Sequence, residues 1–102
     1  MPVFLTLEHF TPLVGSAFRL PDVEDILLRL SRAEPLARMK RGGDIPGLGS
    51  RVPFDLIFVG PTSPILPQQT YRLVAEGAEL MEIFIVPIGP EEGGMGYQAI
   101  FT

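Results

Sequence analysis

Glycine and proline punctuate this chain too densely for long helices. There are 11 of each in 102 residues, about a fifth of the whole. Proline breaks a helix interior and glycine weakens it, so this spacing suits short strands joined by turns. Between the punctuation marks the apolar residues alternate. Ile26, Leu28 and Leu30 interleave with Leu27, Arg29 and Ser31, and Phe54, Leu56 and Phe58 interleave with Asp55, Ile57 and Val59. A period of two puts one set on each face of a strand.

The stretch "QTYRLVAEGAELMEIFIVPIGP" reads as a hairpin, with Gly77 supplying the positive φ that a tight turn needs. In its first run Tyr71, Leu73 and Ala75 share a face. In its second run Met81, Ile83 and Ile85 form one face, and Leu80, Phe84 and Val86 form another that is also apolar. A strand apolar on both faces, here Leu80–Ile88, is expected to be covered twice, by sheet and helix or by sheet and a second subunit.

The remaining segments fill in the pattern. Thr6 is placed to cap a short helix carrying Leu7, Phe10 and Leu13, which Pro12 and Gly15 end within two turns. A strand is expected over Ser16–Leu20, a flexible turn at "EEGGMG", and a last strand at "YQAIFT". The count is about six strands and one short N-terminal helix. The fold class is therefore all-β, a small antiparallel β-barrel or sandwich in a single domain spanning 1–102. Within it, 33–51 reads as a long basic loop rich in glycine and proline, and a loop of that length in a small domain is uncommon.

Composition limits what such a domain can do. A chain of 102 residues, 46% hydrophobic and 20% charged, can bury roughly 65% of its unfolded surface and needs no disulfide or metal to fold. It has no cysteine, which removes thiolate chemistry and cysteine-based zinc sites. The start "MPVFLTLEHF" lacks a basic region and a signal-length apolar stretch, and no 18-residue apolar span occurs, so a soluble, cytoplasmic protein without a membrane role is expected. Net charge is −4 but uneven. Arg29–Arg51 carries six cations against two acids, whereas five glutamates and no cation follow from Glu76 onward. Such asymmetry supports head-to-tail self-association, a charged partner, or simply two solvated faces.

Each candidate for chemistry falls short of what the chemistry needs. His9, the one histidine, has only Glu8 beside it, and neighbours in sequence point to different sides of a helix. Asp22, Glu24 and Asp25 lack the alternation and the sharp glycine turn of a calcium loop. No serine sits in a nucleophile elbow, and "GGDIPGLG" lacks the Lys-Ser/Thr of a phosphate loop. The sequence pI of about 4.8, with no aromatic between Phe18 and Phe54, argues against nucleic acid. No cofactor, metal or catalytic residue is expected. In "FVGPTSPILPQQTYRL", Pro61, Pro64 and Pro67 stiffen a connection under which Ile65 and Leu66 fold as a plug, leaving Gln68 and Gln69 as a rim.

The motifs "PFDLIFVGP…LPQQTYRL", "LMEIFIVPIGP" and "GMGYQAIFT", together with the opening "FTPLVGSAFRL", resemble a family of small bacterial proteins known as a domain of unknown function, number six-nine-one-six. The resemblance covers the chain outside Ala33–Arg51 and brings no catalytic residues with it. The resemblance implies relatives often encoded beside phage-tail-like or tail-collar proteins, and with that a structural or interaction role. The reading is a non-enzymatic module that self-associates or docks on a larger assembly, using Arg38, Lys40, Arg41, Gln68, Gln69, Tyr71, Phe84 and Val86. Its alternative is a small-ligand barrel with Tyr71, Tyr97, Gln68, Gln69 and the 33–51 loop around the mouth. A hydrolase using scattered carboxylates is the third reading.

Overall fold

The alternating segments become six antiparallel strands in a computed structural model that describes residues 6–23, 25–35, 53–75 and 77–101. They are β1 (Ala17–Arg19), β2 (Leu27–Pro35), β3 (Phe54–Gly60), β4 (Gln69–Ala75), β5 (Met81–Glu91) and β6 (Gly94–Phe101). They close into a barrel in the order β1-β2-β3-β6-β5-β4, which decides between the barrel and the sandwich. β4, β5 and β6 form a meander, and β3 returns to lie beside β6 in a Greek-key arrangement. Closure is narrow at β1, which joins β4 only through Phe18–Ala75 and Arg19–Val74.

The alternation sets the lining. Phe18, Leu28, Leu30, Leu56, Phe58, Leu73, Ile83, Ile85, Tyr97 and Ala99 are buried in one contiguous core. Phe18 and Phe58 meet edge to face, with centroids 5.5 Å apart and planes at 89°.

Each end of the barrel is stopped by a different device. At the end where β3 begins, the helix α1 (Leu7–Phe10) and a following 3-10 turn (Thr11–Leu13) carry Phe10 into the barrel. Thr6 caps α1 as expected, its hydroxyl oxygen accepting from the His9 amide at 3.2 Å. Phe10 contacts Phe54 and Phe101, whose rings stack in parallel at 4.8 Å. At the other end, residues 61–68 must link β3 to β4, which stand three strands apart in the ring. That connection therefore crosses the barrel mouth, and Leu66 is buried beneath it.

Three expectations change. The sequence places 33–35 in a loop, but β2 continues through Pro35, where Ala33, Glu34 and Pro35 pair with Leu56, Asp55 and Phe54. Pro35 is tolerated because it ends the strand, where its missing amide breaks no later rung. The rest of the expected loop, from 36 on, lies outside the described residues up to 52. β5 also runs past Pro87 and Pro90 to Glu91, with a register shift between Pro87 and Gly89, since a bulge is where a strand accommodates proline. The "EEGGMG" turn shrinks to Glu92 and Gly93, whose φ of 48° and 82° suit a two-residue hairpin. Gly94, next to it, packs so closely on β3 that a Cβ there would strike the Gly60 carbonyl oxygen.

The third change concerns coverage. Met81, Ile83 and Ile85 line the core, but Leu80, Phe84 and Ile88 remain about half exposed, at 47%, 50% and 45%. Among the described residues β5 is covered once. No described helix is long and apolar enough to cross a membrane.

Candidate interaction surface

β5 builds the surface that stands out. It changes neighbours midway: Met81–Ile85 pair with Leu73–Gln69 of β4, and Val86–Glu91 pair with β6 from Gln98 to Gly94. Its outward side chains run Leu80, Glu82, Phe84, Val86, Ile88 along one ridge. Ile100, 58% exposed, faces outward two residues past Gln98, the last β6 residue that pairs with β5. Ile57 also faces outward, yet it is buried between the outward residues of β2 and β6, its register partners being Arg32 and Gln98. Leu80, Phe84, Val86, Ile88 and Ile100 thus make an apolar strip on the outer side of β5 and β6, while elsewhere on the outer face Leu27 of β2 is also exposed, at 54%.

Several outward polar groups have partners in the protomer. Arg72 sits opposite Glu82 in register and forms a two-pronged pair with Asp22, its Nε donating at 2.8 Å. The hydrogen bond from Arg72 holds the Asp22 carboxyl below its ordinary range. Gln98 donates to Asp55 at 2.8 Å. The β5–β6 turn reaches over the end of β3 to β2, where Glu92 accepts from Arg29 and from the Ser31 hydroxyl, each at 2.6 Å, and Glu91 lies 3.6 Å from Arg32. The bonds from Ser31 and Arg29 lower the Glu92 pKa. Part of the charge asymmetry is therefore met inside the chain, where basic β2 lies against the acidic turn.

The crossing connection 61–68 is held from below by two core tyrosines. Tyr97 accepts the Leu66 amide on its hydroxyl oxygen at 2.9 Å, and the Tyr71 hydroxyl donates to the Pro67 carbonyl at 2.7 Å. Burial pushes the Tyr71 phenol up, with Tyr97 adding to the effect. Of the expected plug pair, Leu66 is buried and Ile65 is 53% exposed. Ser63-Pro64 is a cis bond.

The residues expected in a site separate into groups. Phe84 and Val86 lie together on the strip, and Gln68 and Gln69 are exposed at the start of β4. Tyr71, and Tyr97 of the ligand reading, are buried and face the core rather than a rim. The parity that points Leu73 and Ala75 inward does the same to Tyr71. Arg38, Lys40 and Arg41 lie outside the described residues. His9 meets Phe10 edge-on at 5.1 Å. The acidic trio contributes Asp22 to the Arg72 pair and an exposed Asp25 with φ of 66°, while Glu24 is not described. Among the described residues no three His, Cys, Asp or Glu side chains gather as a metal would need. A shallow hollow lies outside the barrel in the β1–β2 connection, lined by Arg19, Leu20, Pro21, Val23, Asp25, Ile26 and Leu27.

Ile100 was missed by sequence reasoning. The signal was present, since Tyr97, Ala99 and Phe101 share one face of "YQAIFT" and leave Gln98 and Ile100 on the other.

Over residues 5–101 the chain matches the model of a family described as Domain of unknown function (DUF6916). No curated protein and no solved structure matches it.

Proposed function

The chain belongs to the DUF6916 family, and we propose that this member is a non-enzymatic protein-interaction module that docks through the outer face of β5. The observation that carries the reading is the strip of Leu80, Phe84, Ile88 and Ile100, four large apolar side chains exposed on the outer side of β5 and β6. Scattered single apolar residues on a surface need no explanation, whereas a contiguous patch marks a surface that another molecule covers. The inward faces are taken up by core packing, and both barrel ends are stopped by side chains, so binding chemistry is left to the outside.

The setting we propose is a larger assembly of the phage-tail-like kind, in which a small rigid barrel serves as a structural or accessory part. That setting rests on the gene neighbourhood expected from the resemblance of the sequence motifs. The module needs no cofactor and acts in the cytoplasm.

The test is co-purification from the native cell extract with the tagged wild type and with Phe84→Glu. A stoichiometric partner captured by the wild type and lost from the variant is the expected result. A partner retained equally by both moves the interface off β5, and the exposed Gln68, Gln69 and Ile65 at the crossing connection become the surface to vary next.

A further inference from the structure

We infer that the first occupant of the strip is a second copy of this chain, packed face to face across a two-fold axis that passes beside Phe84. The inference rests on the reading of β5 as a docking face and specifies its partner. Three observations carry it.

The first is spacing. Leu80, just before β5, and Ile88, at its register shift, lie four residues to either side of Phe84, up to roughly 13 Å each way where the chain is extended. A two-fold axis lying in the interface and crossing β5 at right angles reverses the strand. It sets Leu80 of one copy on Ile88 of the other, Ile88 on Leu80, and Phe84 on Phe84. That reciprocity is what an isologous contact requires. The same axis keeps the β6 side of one copy over the β6 side of its partner, which brings the two Ile100 side chains together.

The second is charge. A charged partner would be favoured by uncompensated charge around the strip; Arg72 and Asp55 are already engaged there, and Glu82 on the ridge itself stands opposite Arg72 without a bond of its own among the described residues. Arg72 pairs with Asp22 and faces Glu82, and Asp55 accepts from Gln98. The antiparallel arrangement also avoids like-charge contact. Glu82 of one copy comes opposite Val86 of the other, and the exposed Glu79 residues fall at opposite ends of the interface.

The third is area. The four side chains, each about half exposed, offer roughly 300–400 Å² of apolar surface. A standard interface removes about 800 Å² per partner, a little over half of it apolar. The strip supplies most of that apolar share, and the outward residues of β4 and β6 supply the polar remainder. Two twisted sheets packed in this way stand about 10 Å apart with their side chains interdigitated.

The experiment uses the absence of cysteine from the chain. Leu80→Cys and Ile88→Cys proteins are prepared separately, then treated with a short bismaleimide singly and as a mixture, while light scattering follows mass from roughly 10 µM to 1 mM. Expected are a concentration-dependent dimer, efficient linkage in the mixture, and little linkage in either variant alone. Phe84→Glu should weaken the dimer by roughly thirtyfold or more while the circular dichroism melt stays unchanged. A monomer at every concentration overturns the proposal, as does linkage of Leu80→Cys to itself in preference to Ile88→Cys. A monomer whose Phe84→Glu variant still loses a captured partner overturns the two-fold contact alone. A monomer whose variant keeps that partner overturns the docking face as well.

Discussion

The two faces of β5 are built from the same kinds of residue and meet different fates. Met81, Ile83 and Ile85 point into the barrel and are almost wholly buried, while Leu80, Phe84 and Ile88, on the same strand, stay about half in water. Hydropathy does not separate the two sets, because Phe84 is as apolar as Ile83. What separates them is closure. A six-strand ring has one inside, and the inner face of β5 is covered there by the inward side chains of the opposite wall. The outer face needs an additional layer, which the described part of the chain does not supply. One face therefore holds the fold together, and the other is free to hold something else.

The comparison is sharpened first from the inside. Ile83→Ala deletes buried methyl and methylene groups from the core, and should lower unfolding free energy by about 2–5 kcal/mol in a urea titration. A smaller loss would mean that the inner face is loosely packed and that the contrast between the faces is overstated.

Next in size is the crossing connection. Tyr97→Phe leaves the Leu66 amide buried with no acceptor and should cost about 1–3 kcal/mol by the same titration. Tyr71→Phe removes a donor from the Pro67 carbonyl at a part-buried site where water can substitute, so its effect should be the smaller of the two.

The turn lock is weaker still and depends on pH. Serine and arginine bonds hold the Glu92 pKa below its unfolded value. Its contribution is therefore present above the unfolded pKa, near 4.3 for glutamate, and is lost as pH falls through the folded value. Glu92→Gln should leave stability at pH 7 slightly reduced and flatten the acid limb of the stability profile. Unchanged acid sensitivity would show that Glu92 is not held by Ser31 and Arg29 in solution.

Least of all for the fold is the outer face. Phe84→Glu should change the stability of the monomer by no more than about 0.5 kcal/mol, read by denaturation at high dilution. A loss comparable to that of Ile83→Ala would collapse the distinction between the faces.

The sequence made the strands legible but not the ring. Alternation in Ile26–Ser31 and Phe54–Val59, the cap at Thr6 and the positive φ at Gly77 are local signals, each set by neighbours within a few residues, and the expected elements appear where those signals lie. The β1–β4 pairing that closes the barrel joins Phe18 to Ala75, and the Arg29–Glu92 pair spans 63 residues. No periodicity encodes such partners. The same limit explains the coverage expected for Leu80–Ile88. Two apolar faces are visible in the sequence, but whether a second layer comes from this chain or from another molecule is a matter of topology. For the candidate surface, Phe84 and Val86 were readable from parity. Tyr71 was misplaced because its polar hydroxyl suggested a rim, whereas its alternation with Leu73 already placed it inside.

Thiol labelling measures the contrast most directly. With no native cysteine in the chain, Ile83→Cys and Phe84→Cys each report one position on β5. The account predicts that in dilute protein the thiol at position 84 reacts at nearly the rate of unfolded chain, that the thiol at 83 is protected by orders of magnitude, and that concentrating the protein slows reaction at 84 alone. Protection at 84 that persists at every dilution would contradict it, because the outer face would then be covered within the protomer and unavailable for docking.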